Sequence, residues 1–235
     1  MSDYFIYAGV DTRVLGVEVF EGDTFGAPSR IYSPLDVPGK SGSLLLDEKR
    51  YPDIEHSYNV VIYQNFESTL SNLRNALVSK VGYQRLEDSI HTDEFYRAYY
   101  STDFVTMMKP TRRMGHCTVT FTRKPQRYLK SGETVVTLSS DGSITNPTLF
   151  DSQPLLRIYG TGVVGIGDNA ITITSADEYT DIDCETMEAY KGSTSCNAYV
   201  QIQNNDFPVL HPGANGITLG TGITQVQVTP RWFRL

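Results

Sequence analysis

The sequence predicts a mostly β protein with one helix, built as two domains. Three observations carry this expectation. Among the 235 residues are 15 Tyr, 10 Phe and 24 Thr, the aromatic and β-branched types that suit a pleated, half-buried surface. Gly (19) and Pro (11) punctuate the chain into short segments. Only one stretch repeats apolar residues at spacings of three and four, whereas many others alternate. A chain of this length makes one large domain or two of about 100 to 130 residues. With 40% hydrophobic and 20% charged residues it can bury a core and is not disordered by composition.

Val14 to Phe20 alternates loosely and reads as a strand, closed by Glu21-Gly22-Asp23. From Phe25 to Tyr51 the character changes: Pro28, Pro34, Pro38, Gly39 and Gly42 exclude a helix, because each Pro removes a donor and fixes φ. The stretch reads as an extended arm or a long hairpin with its turn near Pro38-Gly39. Arms of this kind reach onto neighbouring subunits; the plain alternative is a surface loop. Tyr58 to Gln64 is a strand. The helix follows at 67–81, with Leu70, Leu73, Leu77 and Val81 on one face and Gly82 at the C-cap position. It should lie on a sheet. Phe95 to Tyr100 is aromatic-rich, and Cys117, Val119 and Phe121 alternate with threonines in a half-buried strand that Pro125 ends. Ser131 to Asn146 holds one short strand (134–138) and much turn chemistry, so the domain boundary is placed at 130/131. The second half reads as six short strands, 155–159, 170–175, 179–184, 199–203, 216–219 and 223–229, at the roughly ten-residue spacing of a β-sandwich.

Charge and composition exclude several classes. A net charge of -7 argues against a dedicated nucleic-acid binder, since neutralising phosphates needs clustered Lys and Arg. No apolar run approaches the roughly 18 residues of a membrane helix. The N-terminus does not read as a signal peptide, with Asp3 where a basic region belongs and Asp11 ending the apolar stretch. Cys117, Cys184 and Cys196 are odd in number and form no CxxC pair, so neither a disulfide framework nor a zinc site is expected.

Motifs that could carry chemistry resolve into plainer structure. Gly160-Thr161-Gly162-Val163-Val164-Gly165 matches GxGxxG, but a strand pattern, not a helix, follows it, so the glycines are read as hairpin turns. Gly39-Lys40-Ser41 lacks the first glycine of a phosphate loop, with Pro34 in its place. Asp181, Asp183 and Glu185 begin like a calcium loop, yet Thr186 and Gly192 stand where Gly and Glu are needed. On a strand the three acids share one face, expected to be solvated, above a buried Ile182 and Cys184. There is no GxSxG elbow, and His56, His91, His116 and His211 are dispersed. No catalytic, metal-binding or cofactor-binding residue is assigned, and no enzyme is expected.

With its parts in this order the sequence resembles the distal tail protein (Dit) family of long, non-contractile-tailed phages. Val37-Pro38-Gly39-Lys40-Ser41-Gly42-Ser43-Leu44 is similar to the family's VPGR-x-G-x-L turn, with Lys40 in place of Arg. After the Leu-rich helix come Gly82-Tyr83-Gln84-Arg85-Leu86-Glu87-Asp88-Ser89 and Phe95-Tyr96-Arg97-Ala98. Val119 to Tyr128, with Pro125, resembles the strand end F-x-C-x-P-x-x-Y, with Thr122-Arg123 replacing the Cys. In the second half the resemblance rests on Asn146-Pro147-Thr148, on Gln153-Pro154 to Gly160, on Asp181 to Glu185, on Phe207-Pro208 through Pro212-Gly213 to Asn215, and on Thr229-Pro230-Arg231-Trp232. Each motif is a turn or a strand end, and their shared order over about 200 residues carries the match.

The resemblance implies a tail-tube-like β-sandwich or split barrel over 1–130, with one packed helix and a hairpin arm (about 25–51) clasping the next subunit. It implies a galectin-like β-sandwich over 131–235. The implied function is a structural hub at the virion tail tip, assembled in the host cytoplasm. A homo-hexameric ring would join the tail tube protein to a tail-associated lysin, tip or fibre protein and carry receptor-binding proteins. DNA would pass through without specific binding, and no membrane is entered. The alternative is a carbohydrate-binding or adhesion module of a virion or cell surface. For that reading the sole tryptophan, Trp232, lies within four residues of the C-terminus, and no His-Asn-Arg cluster of the lectin kind is present.

Overall fold

The computed structural model describes residues 3–21, 27–100, 105–108 and 114–235. Strands hold 52% of the described residues and helical segments 11%, so the protein is mostly β. Two compact units divide the chain, residues 1–127 with Leu235, and residues 128–234. Each has its own hydrophobic core.

The first unit runs β1 (Phe5–Tyr7), β2 (Val10–Asp11), β3 (Val17–Glu21), β4 (Tyr32–Asp36), β5 (Ser43–Asp47), β6 (Ile54–Ile62), α1 (Phe66–Val78), β7 (Gln84–Asp88), β8 (Glu94–Tyr100), β9 (Val105–Met108) and β10 (Gly115–Leu129). Its main sheet has the order β2-β1-β7-β8-β10-β6-β3, with β9 also pairing β10, and it curls into a half-barrel. Alternation sets the faces. In the β6–β10 ladder Val60 pairs with Cys117, Tyr58 with Val119 and His56 with Phe121, and all six side chains are buried on one face. Phe5, Tyr7, Tyr58 and Phe121 gather there, with ring centroids 4.9–6.0 Å apart.

Against this sheet α1 buries Phe66, Leu70, Leu73 and Leu77, each worth about 1.5–3 kcal/mol of transfer free energy as an upper estimate. Among the described residues α1 is the only α-helix. It ends earlier than its periodicity predicts. The Ser79 N–H donates to Asn75 O at 3.1 Å, and Val81 stands exposed beyond the last turn. Leu77 is the last residue to reach the core, so nothing holds Val81 on the helix. Gly82, with φ at +73°, instead turns the chain towards β7. Pro125 does not end its strand either: β10 continues to Leu129. The β6 ladder stops at Arg123–Ile54, so the missing Pro125 N–H falls outside it. Strands β1 and β2, of three and two residues, gave no periodic signal and were not expected.

The second unit contains β11 (Val136–Leu138), β12 (Gly142–Asn146), β13 (Leu155–Gly160), β14 (Gly162–Ile166), β15 (Asn169–Ile173), β16 (Tyr179–Asp183), β17 (Glu188–Lys191), β18 (Thr194–Ser195), β19 (Val200–Ile202), β20 (Gly213–Leu219), β21 (Ile223–Thr229) and β22 (Phe233–Arg234). One sheet is β11-β21-β13-β16-β17-β18 and the other β12-β20-β14-β15-β19. Leu156, Ile158, Ile182, Val226 and Val228 from the first meet Val164, Ile166, Ile171, Ile173 and Ile217 from the second in one core, which makes a β-sandwich.

The GxGxxG stretch is mostly strand, not turn: β14 occupies Gly162–Ile166 and pairs with β15 across Gly167-Asp168. Its glycines serve a close backbone approach. Gly160 sits at a register shift between β13 and β21 with φ at +100°, and a Cβ there would lie 2.2 Å from Gly222 O.

Candidate functional site

The site that stands out is the hairpin of β4 and β5. Its turn is written in the sequence. Pro38 supplies the fixed φ of the second position of a type II turn and Gly39, with φ at +80°, the left-handed third position. The Lys40 N–H closes it by donating to Val37 O at 3.1 Å. Below the turn the register is Asp36–Ser43, Leu35–Leu44, Pro34–Leu45, Ser33–Leu46 and Tyr32–Asp47. Directly paired residues share a face, so Leu35, Leu44 and Leu46 lie on one side with Ser33. Tyr32, Pro34 and Leu45 lie on the other with Asp36, Ser43 and Asp47.

Every residue from Tyr32 to Arg50 is exposed, so neither face is covered by its own chain. Isolated two-stranded hairpins are marginal in water. This one is tied by its flanks. The Arg30 guanidinium donates to both Asp47 carboxylate oxygens, Nε to Oδ1 at 2.7 Å. Ser33 Oγ donates to Glu48 Oε1 at 2.6 Å, and Ser43 Oγ to Asp36 Oδ1 at 2.7 Å. The Arg30 guanidinium holds the Asp47 carboxyl below its ordinary range, and the Ser33 hydroxyl and Arg50 do the same for Glu48. The expected hairpin and its turn are both present; Phe25 and Gly26 lie outside the described residues. What the sequence reading did not single out is the run Leu44-Leu45-Leu46. Three consecutive leucines between turn glycines and a charged tail were the available signal.

The other family-like positions are scattered structural supports. Gly42, with φ at +84°, leads into β5. Asp88, buried at the end of β7, accepts from Tyr58 Oη at 3.2 Å and from the N–H groups of Ile90 and His91 at 2.9 and 2.8 Å. Pro125 is a buried strand residue. Tyr128 is buried beside Phe233, with ring centroids 6.2 Å apart. Pro154 O accepts the Cys184 N–H at 3.1 Å, and Pro208 and Pro230 are buried. Pro212, at an exposed bend, and Gly213, the exposed first residue of β20, are braced by Asn215, its Nδ2 donating to His211 O at 2.7 Å and to Gly213 O at 3.0 Å. Trp232 is buried in the second core, and its backbone N would lie 2.3 Å from a Cβ on Gly132. Its ring therefore offers no open face on which a sugar could stack.

The acids of β16 correct the expectation of a solvated face. Asp181 and Asp183 are buried and ion-paired: Arg157 donates to Asp181 at 2.7 and 2.8 Å, and Arg231 to Asp183 at 2.7 and 2.8 Å. Glu185 lies 3.5 Å from Arg231. The bidentate guanidinium partners replace the water that the sequence reading assigned to them. Cys184 is a core residue, and burial pushes its thiol up to about 12. Among the described residues no group of His, Cys, Asp and Glu is placed to hold a metal ion.

No protein-family model matches the sequence. No curated protein matches it either. Solved structures do. The Dit protein of phage SPP1, described as a paradigm of the hub adsorption apparatus in phages infecting Gram-positive bacteria, superposes over 100% of both chains with a TM-score of 0.77 at 12% identity. A chain of the phage p2 baseplate in its activated conformation with strontium covers 100% of this chain and 98% of its own at a TM-score of 0.56 and 10% identity. The calcium form of that baseplate gives 97% of both chains, a TM-score of 0.53 and 10% identity. Helix, arm and sandwich occur here in one chain matched from end to end, and the protein has the fold of the phage Dit and baseplate proteins.

Proposed function

We propose that this protein is a structural hub of a phage tail tip, in which six copies close head to tail into a ring. The single observation that carries the reading is the β4–β5 hairpin, ordered yet uncovered, with leucines on both faces. A surface apolar on two sides is suited to insertion against a neighbour, and heterologous contacts between two different surfaces generate rings when the rotation closes. Residues 1–130 serve as the tail-tube-like ring domain and 131–235 as a galectin-like adaptor. The hub joins the tail tube protein to a lysin, tip or fibre protein and carries receptor-binding proteins at the virion tail tip. The net charge of -7 suits a passage through which DNA slides without being held.

The test is the native mass of the full chain by light scattering over a concentration series. The expected species is six times 26.3 kDa, and removal of 31–50 reduces it to smaller forms. A monomer at every concentration would overturn the self-assembling ring. The fold is shared with baseplate structural proteins, and the motif-poor sequence offers no chemistry that competes with a structural role.

A further inference from the structure

A groove of about 610 Å³ lies in the first unit, bounded by Arg13 to Glu18 and by Tyr63, Gln64, Asn65 and Thr69. We infer that this groove is the receptor for the arm tip, Asp36-Val37-Pro38-Gly39-Lys40, of a second copy of this chain. The inference rests on the ring reading above and names the surface that receives the arm.

Three observations carry it. The first is placement. The arm leads into β6 at Ile54, whereas the groove opens beyond the other end of that strand, after Ile62. Eight residue-to-residue steps along the strand separate the two ends by roughly 26 Å. Donor and acceptor surfaces at opposite ends of one rigid strand are what a head-to-tail contact requires.

The second is apolar character. Val14, 85% exposed, and Tyr63, half exposed, both line the groove, and Phe20 continues the exposed strip along β3. The tip offers Val37 and Pro38, and the stem behind it offers Leu35 and Leu44.

The third is charge. Glu18 on the groove and Lys40 on the tip are exposed and have no ion-pair partner among the described residues. Among the described residues the one cation on the groove wall, Arg13, is already held by Asp11, with Nη2 to Oδ2 at 2.5 Å, and lies over the Tyr4 ring. At the same mouth α1 begins without a side-chain cap: the carbonyl of Asn65, a residue with φ at 50°, accepts the Thr69 N–H at 3.0 Å, but its side chain bonds to none of the first-turn N–H groups. Asp36, four residues before Lys40, carries a carboxylate able to accept from them, and a helix N-terminus favours an anion. The tip thus brings a carboxylate and an ammonium to a site that presents a helix N-terminus and a carboxylate. This gives the Val-Pro-Gly-Lys turn a task that its exposed position otherwise leaves without one.

Cysteine trapping tests the contact. In a full-length Cys196→Ser background, Lys40→Cys and Glu18→Cys are combined and oxidised mildly. A ladder of covalent multimers in the double variant, absent from either single variant, is the expected result. Charge exchange gives a second readout. Glu18→Lys should weaken association about 5-fold per contact, and adding Lys40→Glu should restore it. Dimers formed by Lys40→Cys alone would mean tip-to-tip contact and would overturn the inference. An oligomer that persists in Glu18→Lys, with no trapping in the double variant, would overturn the groove while leaving the ring intact. A wild-type protein that stays monomeric would overturn both.

Discussion

Replacing Leu44, Leu45 and Leu46 together by threonine should dissolve the assembly without unfolding the subunit. Threonine, being β-branched, suits a strand while removing most of the apolar surface. The three leucines are 46, 60 and 51% exposed, so about half of each side chain remains to be covered by a partner. Full burial of a leucine is worth about 1.5–3 kcal/mol, which puts the uncovered halves at about 2–5 kcal/mol per contact. Because threonine retains a methyl group and association has its own entropic costs, the lower part of that range applies. Association should weaken by about 30- to 300-fold per contact. Within the subunit these residues lie outside both hydrophobic cores, so the melting temperature should stay close to wild type, as for other surface changes of about 0.5 kcal/mol or less. Light scattering over a concentration series reads the first effect and calorimetry the second. Superimposable mass curves would show that the leucines carry no contact. A melting temperature lower by many degrees would show that the arm packs on its own chain.

Other expectations follow from the second unit and the thiols. Burial alone would raise the Asp183 pKa, but Arg231 and the N–H groups of Glu185 and Thr186 outweigh it and hold the carboxyl below its ordinary range. Its stabilisation is therefore complete above the unfolded value near pH 4 and is lost as pH falls through the lower folded value. Asp183→Asn should cost about 1–3 kcal/mol at pH 7 and flatten the fall in melting temperature below about pH 4; an unchanged acid limb would refute this. Gly160→Ala would place a methyl 2.2 Å from Gly222 O at φ +100° and should cost about 2–4 kcal/mol in denaturant unfolding. A wild-type midpoint would mean that the bulge relaxes freely. A thiol reagent at neutral pH should label Cys196 quickly, while Cys117 and Cys184, buried and pushed up to about 12, react only on unfolding. Rapid loss of all three thiols in the native protein would contradict that burial.

The parts legible in the sequence are those whose cause is local. A Pro-Gly turn announces itself within four residues, and the leucine spacing of α1 within one helix face, so arm and helix were both expected. The buried acids were not. Asp181 meets Arg157 across 24 residues and Asp183 meets Arg231 across 48, and no local pattern marks such pairs. The reach of α1 was overstated because Val81 fits the period but has no core beneath it. β14 was hidden by its glycines, which read as turns until the close approach of Gly222 explains them. Nor does the groove have a motif: β3–β6 pairing brings residues 13–18 beside 63–65, and only the paired strands show it.

The internal ties of the arm bear on how quickly such an assembly forms. Arg30 with Asp47 and Ser33 with Glu48 fix the hairpin before any partner arrives. A segment that is already shaped does not have to fold during the encounter, so its ordering entropy is spent in the free subunit. Closure of the proposed ring would then proceed at the pace of collision and orientation, and small changes in the arm would act mainly on the lifetime of the contact. The Arg30–Asp47 tie is an exposed ion pair and weakens in concentrated salt. High ionic strength should therefore loosen the arm and slow the proposed assembly even where apolar contacts grow no weaker.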